Sequence, residues 1–302
     1  MDRRAFVAAA GAAALTGLGA TGSRAEAGDA PHPVPEGDAR FRRGERPGPG
    51  RLHQSVCRWP FERIPLEDFC REARDMGLEA MDLLYPDEWA VAHSHGLAVS
   101  MGFASRRPRF IQEGFNDPAM HATLIEELET AIPLAAGAGV PNLIVMSGNR
   151  RGGTEARGIA ACARGLREIT PLAEQHGITL CLEMLNSTVD HADYDADTTG
   201  YGLEVVQRVG SPRFRLLYDI YHMQIMEGNV LATISANRDA IVHLHTAGVP
   251  GRHELDDSQE LNYRGIAHQI AELEFEGYMA HEFIPTREPL AALREAIAVC
   301  NV

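Results

Sequence analysis

The sequence predicts a single-domain α/β protein, a (β/α)8 TIM barrel over residues 51–302, and three observations carry that expectation. From Arg51 onward, runs of strand character alternate with runs of helical period eight times, within the ~250 residues typical of such a barrel. Four runs in succession, residues 178–183 (ITLCLE), 216–219 (LLYD), 240–245 (AIVHLH) and 278–282 (YMAHE), are apolar and end on an acid or a histidine. In parallel α/β folds, chemistry collects at that C-terminal end of the strands. The third observation counts against the competitor, a doubly wound open sheet. A nucleotide-binding version would need a glycine fingerprint after the first strand, and Arg58-Trp59-Pro60 stands there instead.

Taken in order, residues 52–57 read as the first strand. Pro65-Leu66-Glu67-Asp68 opens a helix with acids in its first turn, and that helix ends near Gly77. Residues 78–84 and 97–101 are the second and third strands. Asp117 as cap and Pro118 at the first helical position start a long helix with Leu124, Ile125, Leu128 and Ile132 on one face. Strand four is 142–146, and its helix runs from about Glu155 to Gln175. Strands five to eight are the four runs above, followed by helices that begin near Thr199, Met223, Asn262 and Arg287.

Upstream of the barrel, Arg3-Arg4 precedes a mildly apolar segment to about Ala20, then Ser23-Arg24-Ala25-Glu26-Ala27. Residues 1–27 therefore read as a twin-arginine-type signal peptide, although Asp2 replaces the usual Ser or Thr before the arginines. The segment is too short and too rich in Gly and Ala for a membrane span. The expected location is the periplasm or beyond it, with no membrane contact after cleavage. Residues 28–50, rich in Pro, Gly and Arg, read as a flexible linker.

Hydrophobic residues make up 45% of the chain and charged residues 23%, the balance of a soluble globule. The net charge is -14; taking away residues 1–27, with three arginines and two acids, leaves -15. Nucleic acid and anionic membranes need basic patches, so neither is expected as a partner. Cys57, Cys70, Cys162, Cys181 and Cys300 are odd in number and lie in or near apolar runs. They read as buried thiols rather than a disulfide framework or a zinc site.

Strand alternation assigns the inward side chains. Glu183 pointing inward takes Cys181 with it and leaves Leu180 and Leu182 against the helices. Asp219 likewise takes Leu217, His245 takes His243 one layer deeper, and Glu282 takes Ala280. Three carboxylates and an imidazole converging on one axis cannot stay unpaired, since like charges so close raise one another's pKa sharply. Each acid alone reads best as a solvated loop residue; four at equivalent strand ends point to a divalent cation held by Glu183, Asp219, His245 and Glu282. Oxygen-rich ligation with one histidine suits Mn²⁺ or Mg²⁺, with Co²⁺ also compatible, and suits thiolate-loving zinc less. Asp193, Asp195, Asp197 and Glu204 imitate a calcium loop, but Thr198 occupies the position that needs glycine, so calcium is rejected.

Several longer segments resemble the hydroxypyruvate isomerase branch of the xylose-isomerase-like TIM barrels, which also include ketose 3-epimerases. They are Leu182-Glu183-Met184-Leu185-Asn186, Tyr218-Asp219-Ile220-Tyr221-His222-Met223-Gln224, and Gly248-Val249-Pro250-Gly251-Arg252 followed by Glu260-Leu261-Asn262-Tyr263. Val145-Met146-Ser147-Gly148-Asn149 and Glu282-Phe283-Ile284-Pro285 also fit, so the resemblance covers nearly all of 51–302. It implies that Glu183, Asp219, His245 and Glu282 bind the metal and that Glu183 and Glu282 also move protons. It implies further that His222 contacts a substrate oxygen beside the metal. Arg252, in a Gly/Pro loop, is placed to clamp a substrate anion or oxygen. Asn186 and His243 are candidate supports of these groups, and Trp59 and Phe61 a candidate apolar wall over the site. The sequence departs from the isomerase pattern at His245, where bacterial hydroxypyruvate isomerases commonly carry Gln and the epimerases His, and in the loop 254–259.

The expected activity is metal-dependent isomerisation of a small α-hydroxycarbonyl compound or sugar. The metal would chelate adjacent carbonyl and hydroxyl oxygens and stabilise an enediolate, while one glutamate removes a proton from carbon and the other returns one to its neighbour. Reprotonation of the same carbon from the opposite face would give an epimer, so a periplasmic ketose or 3-keto-sugar epimerase is the alternative. The reading from another class is a non-catalytic sugar- or metal-binding barrel. The expected partner is a small carbohydrate or hydroxy-keto acid. The sequence leaves the oligomeric state open, a homo-oligomer included, since members of such families are often dimers or tetramers.

Overall fold

The computed structural model of the chain describes residues 50–302. The signal peptide expected at 1–27, and all but the last residue of the linker expected at 28–50, lie outside the described residues. Eight parallel strands close into a barrel in chain order: β1 (His53–Cys57), β2 (Ala80–Leu84), β3 (Ala98–Gly102), β4 (Asn142–Val145), β5 (Thr179–Glu183), β6 (Phe214–Asp219), β7 (Ile241–Thr246) and β8 (Tyr278–His281). Closure is made by β1 against β8, with Ser55 opposite Ala280.

Around the barrel run α1 (Leu66–Asp75), α2 (Trp89–Ser94), α3 (His121–Ala138), α4 (Glu155–His176), α5 (Thr199–Val209), α6 (Ile220–Met226), α7 (Val230–Ala236), α8 (Tyr263–Glu272) and α9 (Pro289–Cys300). Two of them, α2 and α7, have no counterpart in the sequence reading. They span six and seven residues, too few for a helical period to show. Asp117 does cap, accepting from Ala119 N–H at 3.0 Å, but what it caps is one 3₁₀ turn, Pro118–Met120, before α3 begins.

Helix α5 shows how the outer layer is placed. Thr198 caps its start, with Oγ1 accepting from Tyr201 N–H. Gly202 then lets it press onto the barrel, because a Cβ there would come within 2.9 Å of Leu216 and of the Met184 sulfur. It stops at Gly210, whose φ of 71° is a left-handed value that glycine adopts freely. Leu216 therefore faces outward and is fully buried, and burial of such a side chain contributes roughly 1.5–3 kcal/mol.

The alternation read from the sequence holds. On β6 and β7, Leu217 lies opposite His243 and Asp219 opposite His245, and His243 reaches into the barrel to within 2.9 Å of Asp82. All five cysteines are free and buried, as expected. Among the described residues, no helix is long and apolar enough to cross a membrane.

Candidate metal centre and active site

The four strand-end residues meet. Glu183 ends β5, Asp219 ends β6, His245 is the penultimate residue of β7, and Glu282 follows the last residue of β8. Glu282 stays aligned because its N–H donates to Thr246 O at 2.9 Å. All four are buried, and one ligand atom from each lies within 4.8 Å of the others.

Asp219 has two tasks. Its Oδ1 accepts from Tyr221 N–H at 2.8 Å and His222 N–H at 3.2 Å, capping α6. That cap starts α6 at Ile220, three residues before the start expected near Met223, and leaves Oδ2 for the site. His222 is thereby held one helical turn from the acid, its Nε2 3.6 Å from Oδ2. The backbone and side-chain amides of Asn186 both approach His222 Nδ1, at 3.2 and 2.7 Å. Nδ1 is then an acceptor, so the proton of a neutral ring sits on Nε2, facing the site. Burial, aided by the Arg252 charge, holds His222 well below the ordinary histidine range and so keeps it neutral.

Arg252 comes from the β7–α8 loop at a φ of 59°. Its Nη2 donates to Glu282 Oε2 at 2.6 Å and Asp219 Oδ2 at 3.3 Å. The guanidinium also lies over the rings of Trp59 and Tyr221, 5.2 and 5.4 Å from their centroids. Trp59 Nε1–H donates to Glu282 Oε1 at 2.7 Å. Trp59 is thus part of the site wall. Phe61 is not: it is buried against Phe69 and Phe283 in the core.

Burial pushes the Glu183 carboxyl up, and the Asp219 carboxyl up to about 7 in spite of Arg252. Burial acts the same way on Glu282, but Arg252 and His245 outweigh it and hold that carboxyl well below the usual range. Burial would discharge His245, yet its contacts with Cys57, Glu282 and Asp82 outweigh that and hold the ring charged well above its ordinary range. The Arg252 and Trp59 contacts thus set Glu282 apart from Glu183.

A divalent ion fits this donor set. His222 Nε2 is buried with no hydrogen-bond partner, and His245 Nδ1 crowds Glu183 Oε1 and Glu282 Oε2 at 3.2 and 2.8 Å without hydrogen-bond geometry, whereas buried polar atoms almost always have a well-aligned partner. Bonds of about 2.1 Å put opposite donors of one ion roughly 4 Å apart, compatible with the observed spread. The residues that would hold it are Glu183, Asp219, His245 and Glu282.

Above these groups opens a cavity of about 650 Å³ bordered by Glu183, Glu282 and Arg252, with Trp59, Tyr85 and Phe103 among its walls. Tyr85 and Phe103 stack at 4.6 Å and Phe110 meets Phe103 edge-on. The sequence reading missed this aromatic wall, which comes from loops without period. It also missed Asp82, completely buried on β2. The signal was available, since an acid inside the apolar run 78–84 must be paired if that run is a buried strand.

The family described as xylose isomerase-like TIM barrel matches residues 54–301. Among curated proteins, a putative hydroxypyruvate isomerase from Homo sapiens is 26% identical over 240 residues, covering 78% of this chain and 80% of that protein. A 2-oxo-tetronate isomerase from Cupriavidus necator is 28% identical over 243 residues, covering 77% and 92%. Among solved structures, an AP endonuclease, family 2, from Brucella melitensis superposes with a TM-score of 0.73 at 21% identity, covering 83% of this chain and 100% of that chain; at that identity the likeness is one of fold alone. With its eight parallel strands closed in order and the family matched across almost the whole described region, the chain belongs to the xylose isomerase-like TIM barrel family.

Proposed function

We propose that the protein is a metal-dependent isomerase of a small α-hydroxycarbonyl compound or sugar, with Glu183 and Glu282 as the proton-transfer pair. The observation that carries this reading is their placement. Both border the 650 Å³ cavity from strands three apart, and both belong to a buried donor set of three carboxylates and one imidazole. A binding barrel would need the donors but not two carboxylates facing the cavity from separate strands. The names of the curated relatives support the same class of reaction.

A bound divalent ion, Mn²⁺ or Mg²⁺ on this donor chemistry, would supply Lewis-acid polarisation of the substrate oxygens. The chain supplies the rest. Glu183 and Glu282 are the pair that take a proton from carbon and return one, and Glu282 is held in place by Trp59 and Arg252. His222 Nε2–H and the Arg252 guanidinium offer donors to oxygen atoms on which negative charge develops. The aromatic wall lines the cavity beside that charge.

The second reading is an epimerase of a ketose or 3-keto-sugar, and one observation favours it. A cavity of about 650 Å³ with Tyr85, Phe103 and Phe110 on one side is of the size that accepts drug-sized ligands rather than a three-carbon acid. The deciding experiment incubates the metal-stripped protein, with and without added Mn²⁺, with hydroxypyruvate, four-carbon oxo acids, ketoses and 3-keto-glycosides. Turnover of any of them only with metal supports the proposal, and the product distinguishes isomer from epimer. Binding without turnover across the panel would replace it with a binding function.

A further inference from the structure

We propose that Asp82 is the positioning residue of the metal centre: it holds the Nε2–H of His245 and so turns the Nδ1 lone pair toward the other three ligands. The inference rests on the metal reading above and concerns a residue one layer beneath the ligands.

His245 sits between two sets of carboxylates. On the cavity side, Nδ1 lies 3.2 Å from Glu183 Oε1 and 2.8 Å from Glu282 Oε2. On the barrel side, Nε2 lies 3.1 Å from Asp82 Oδ1. When the ring becomes a ligand it keeps one proton, and which nitrogen keeps it decides whether the ring can bind. A proton left on Nδ1 would satisfy Glu183 and Glu282 and block the metal. A proton held on Nε2 by Asp82 frees Nδ1.

The surroundings of Asp82 suit that task. It is completely buried. Oδ1 also accepts from the Cys57 thiol at 3.4 Å, and Oδ2 accepts from the Ser100 hydroxyl, with His243 Nε2 2.9 Å away. Cys57, Ser100 and His245 bond to this one carboxylate and His243 lies beside it, and among these only His245 is a proposed metal ligand. Neighbours that donate to a carboxylate favour its ionised form, the form that can only accept from His245. Backbone strain marks the same spot. The β2–β3 register shifts on both sides of Asp82, and Leu83 takes a φ of 53°, rare for a branched side chain. Such irregularities re-aim side chains and recur at functional sites. Here Asp82 lies against His243 and His245 in the barrel while the next residue, Leu83, borders the cavity.

The test measures Mn²⁺ affinity of the metal-stripped full barrel by competition with a chelator, for wild type, Asp82→Ala, His245→Ala and the double variant. Asp82→Ala is expected to weaken binding by about 10–100-fold, the usual loss when such a partner is removed. In the His245→Ala background, the same change should alter affinity by no more than about twofold, because its route to the metal is gone. An equal loss in both backgrounds would show that Asp82 merely supports the barrel and would overturn the proposal. So would an Asp82→Ala protein that binds like wild type. Should Asp82→Ala not fold, the isosteric Asp82→Asn is read by NMR in the Mg²⁺-loaded protein. The His245 Nε2–H should resonate far downfield in wild type and move upfield in Asp82→Asn; an unmoved resonance refutes the inference. A wild-type protein that binds no Mn²⁺ would instead refute the metal reading on which this one stands.

Discussion

Arg252 Nη2 lies 2.6 Å from Glu282 Oε2, so one of the two proposed proton-transfer groups is ion-paired from the solvent side. Arg252 is only 12% exposed, and its guanidinium carbon lies 5.2 and 5.4 Å from the ring centroids of Trp59 and Tyr221. Arg252→Gln should lower kcat/KM by roughly 10–150-fold, equivalent to the about 1.5–3 kcal/mol of a hydrogen bond to a charged group. Arg252→Lys should recover little of it, because an ammonium neither stacks nor forks. Steady-state kinetics on the substrate identified by the panel checks both, and near wild-type values for Arg252→Lys would contradict the assignment.

Glu183→Gln and Glu282→Gln each keep a ligand oxygen and remove a proton acceptor. Each should retain some metal and lose about 10²–10⁴-fold in rate. The double variant should lose little more than either, since both serve one proton-transfer sequence. Turnover in D₂O should place deuterium on the reacting carbon. Two single variants that hold metal and turn over near the wild-type rate would refute the mechanism.

Metal binding and pH should be linked through Asp219. Its carboxyl, pushed up to about 7 from an ordinary value of 3.8, holds its proton in the metal-free fold long after the unfolded chain has released it. The metal-free protein should therefore lose stability as pH rises from about 4 to 7, and burial of Glu183 acts in the same direction. Glu282, held low, acts oppositely but below its ordinary 4.5. Since the ion needs the ionised carboxylates, the melting-temperature gain on adding Mn²⁺ should grow across the same window. Asp219→Asn keeps an N-cap oxygen, so it should flatten the metal-free profile and weaken metal binding by one or two orders of magnitude. Full metal content in Asp219→Asn/His245→Ala would contradict the ligand set.

Export remains an expectation of the sequence and is tested directly. Mass spectrometry of secreted or periplasmic material should find residues 1–27 absent, with cleavage after Ala25 or Ala27. Arg3→Lys/Arg4→Lys should leave the protein in the cytoplasm. An intact N-terminus on exported protein would count against the signal peptide.

Much of the barrel was legible because its strands carry two messages at once, an apolar period and a polar tip. Glu183, Asp219, His245 and Glu282 could be assigned from position alone, since a strand end in a parallel barrel has one destination. Asp82 was overlooked for the converse reason: it lies inside its strand, and its partners come from β1, β3 and β7. The aromatic wall of Tyr85, Phe103 and Phe110 belongs to segments joined only by the closed fold. The seat of Arg252 depends on Trp59, nearly two hundred residues away in sequence. Contacts of that range leave no local pattern.

The cap that Asp219 places on α6 has a mechanical consequence. Asp219 and His222 are spaced by one turn of hydrogen-bonded backbone, so their separation is set by covalent geometry and the two travel as one piece. Glu183 and Glu282 hang from strands on different sectors of the ring. Their gap follows the shape of the barrel's cross-section. A change in an outer helix that flattens the ring toward an oval would widen or narrow the reach between the two glutamates and leave the Asp219–His222 spacing untouched. Distant substitutions should therefore be felt first in proton transfer, and only later in how oxygen atoms are gripped.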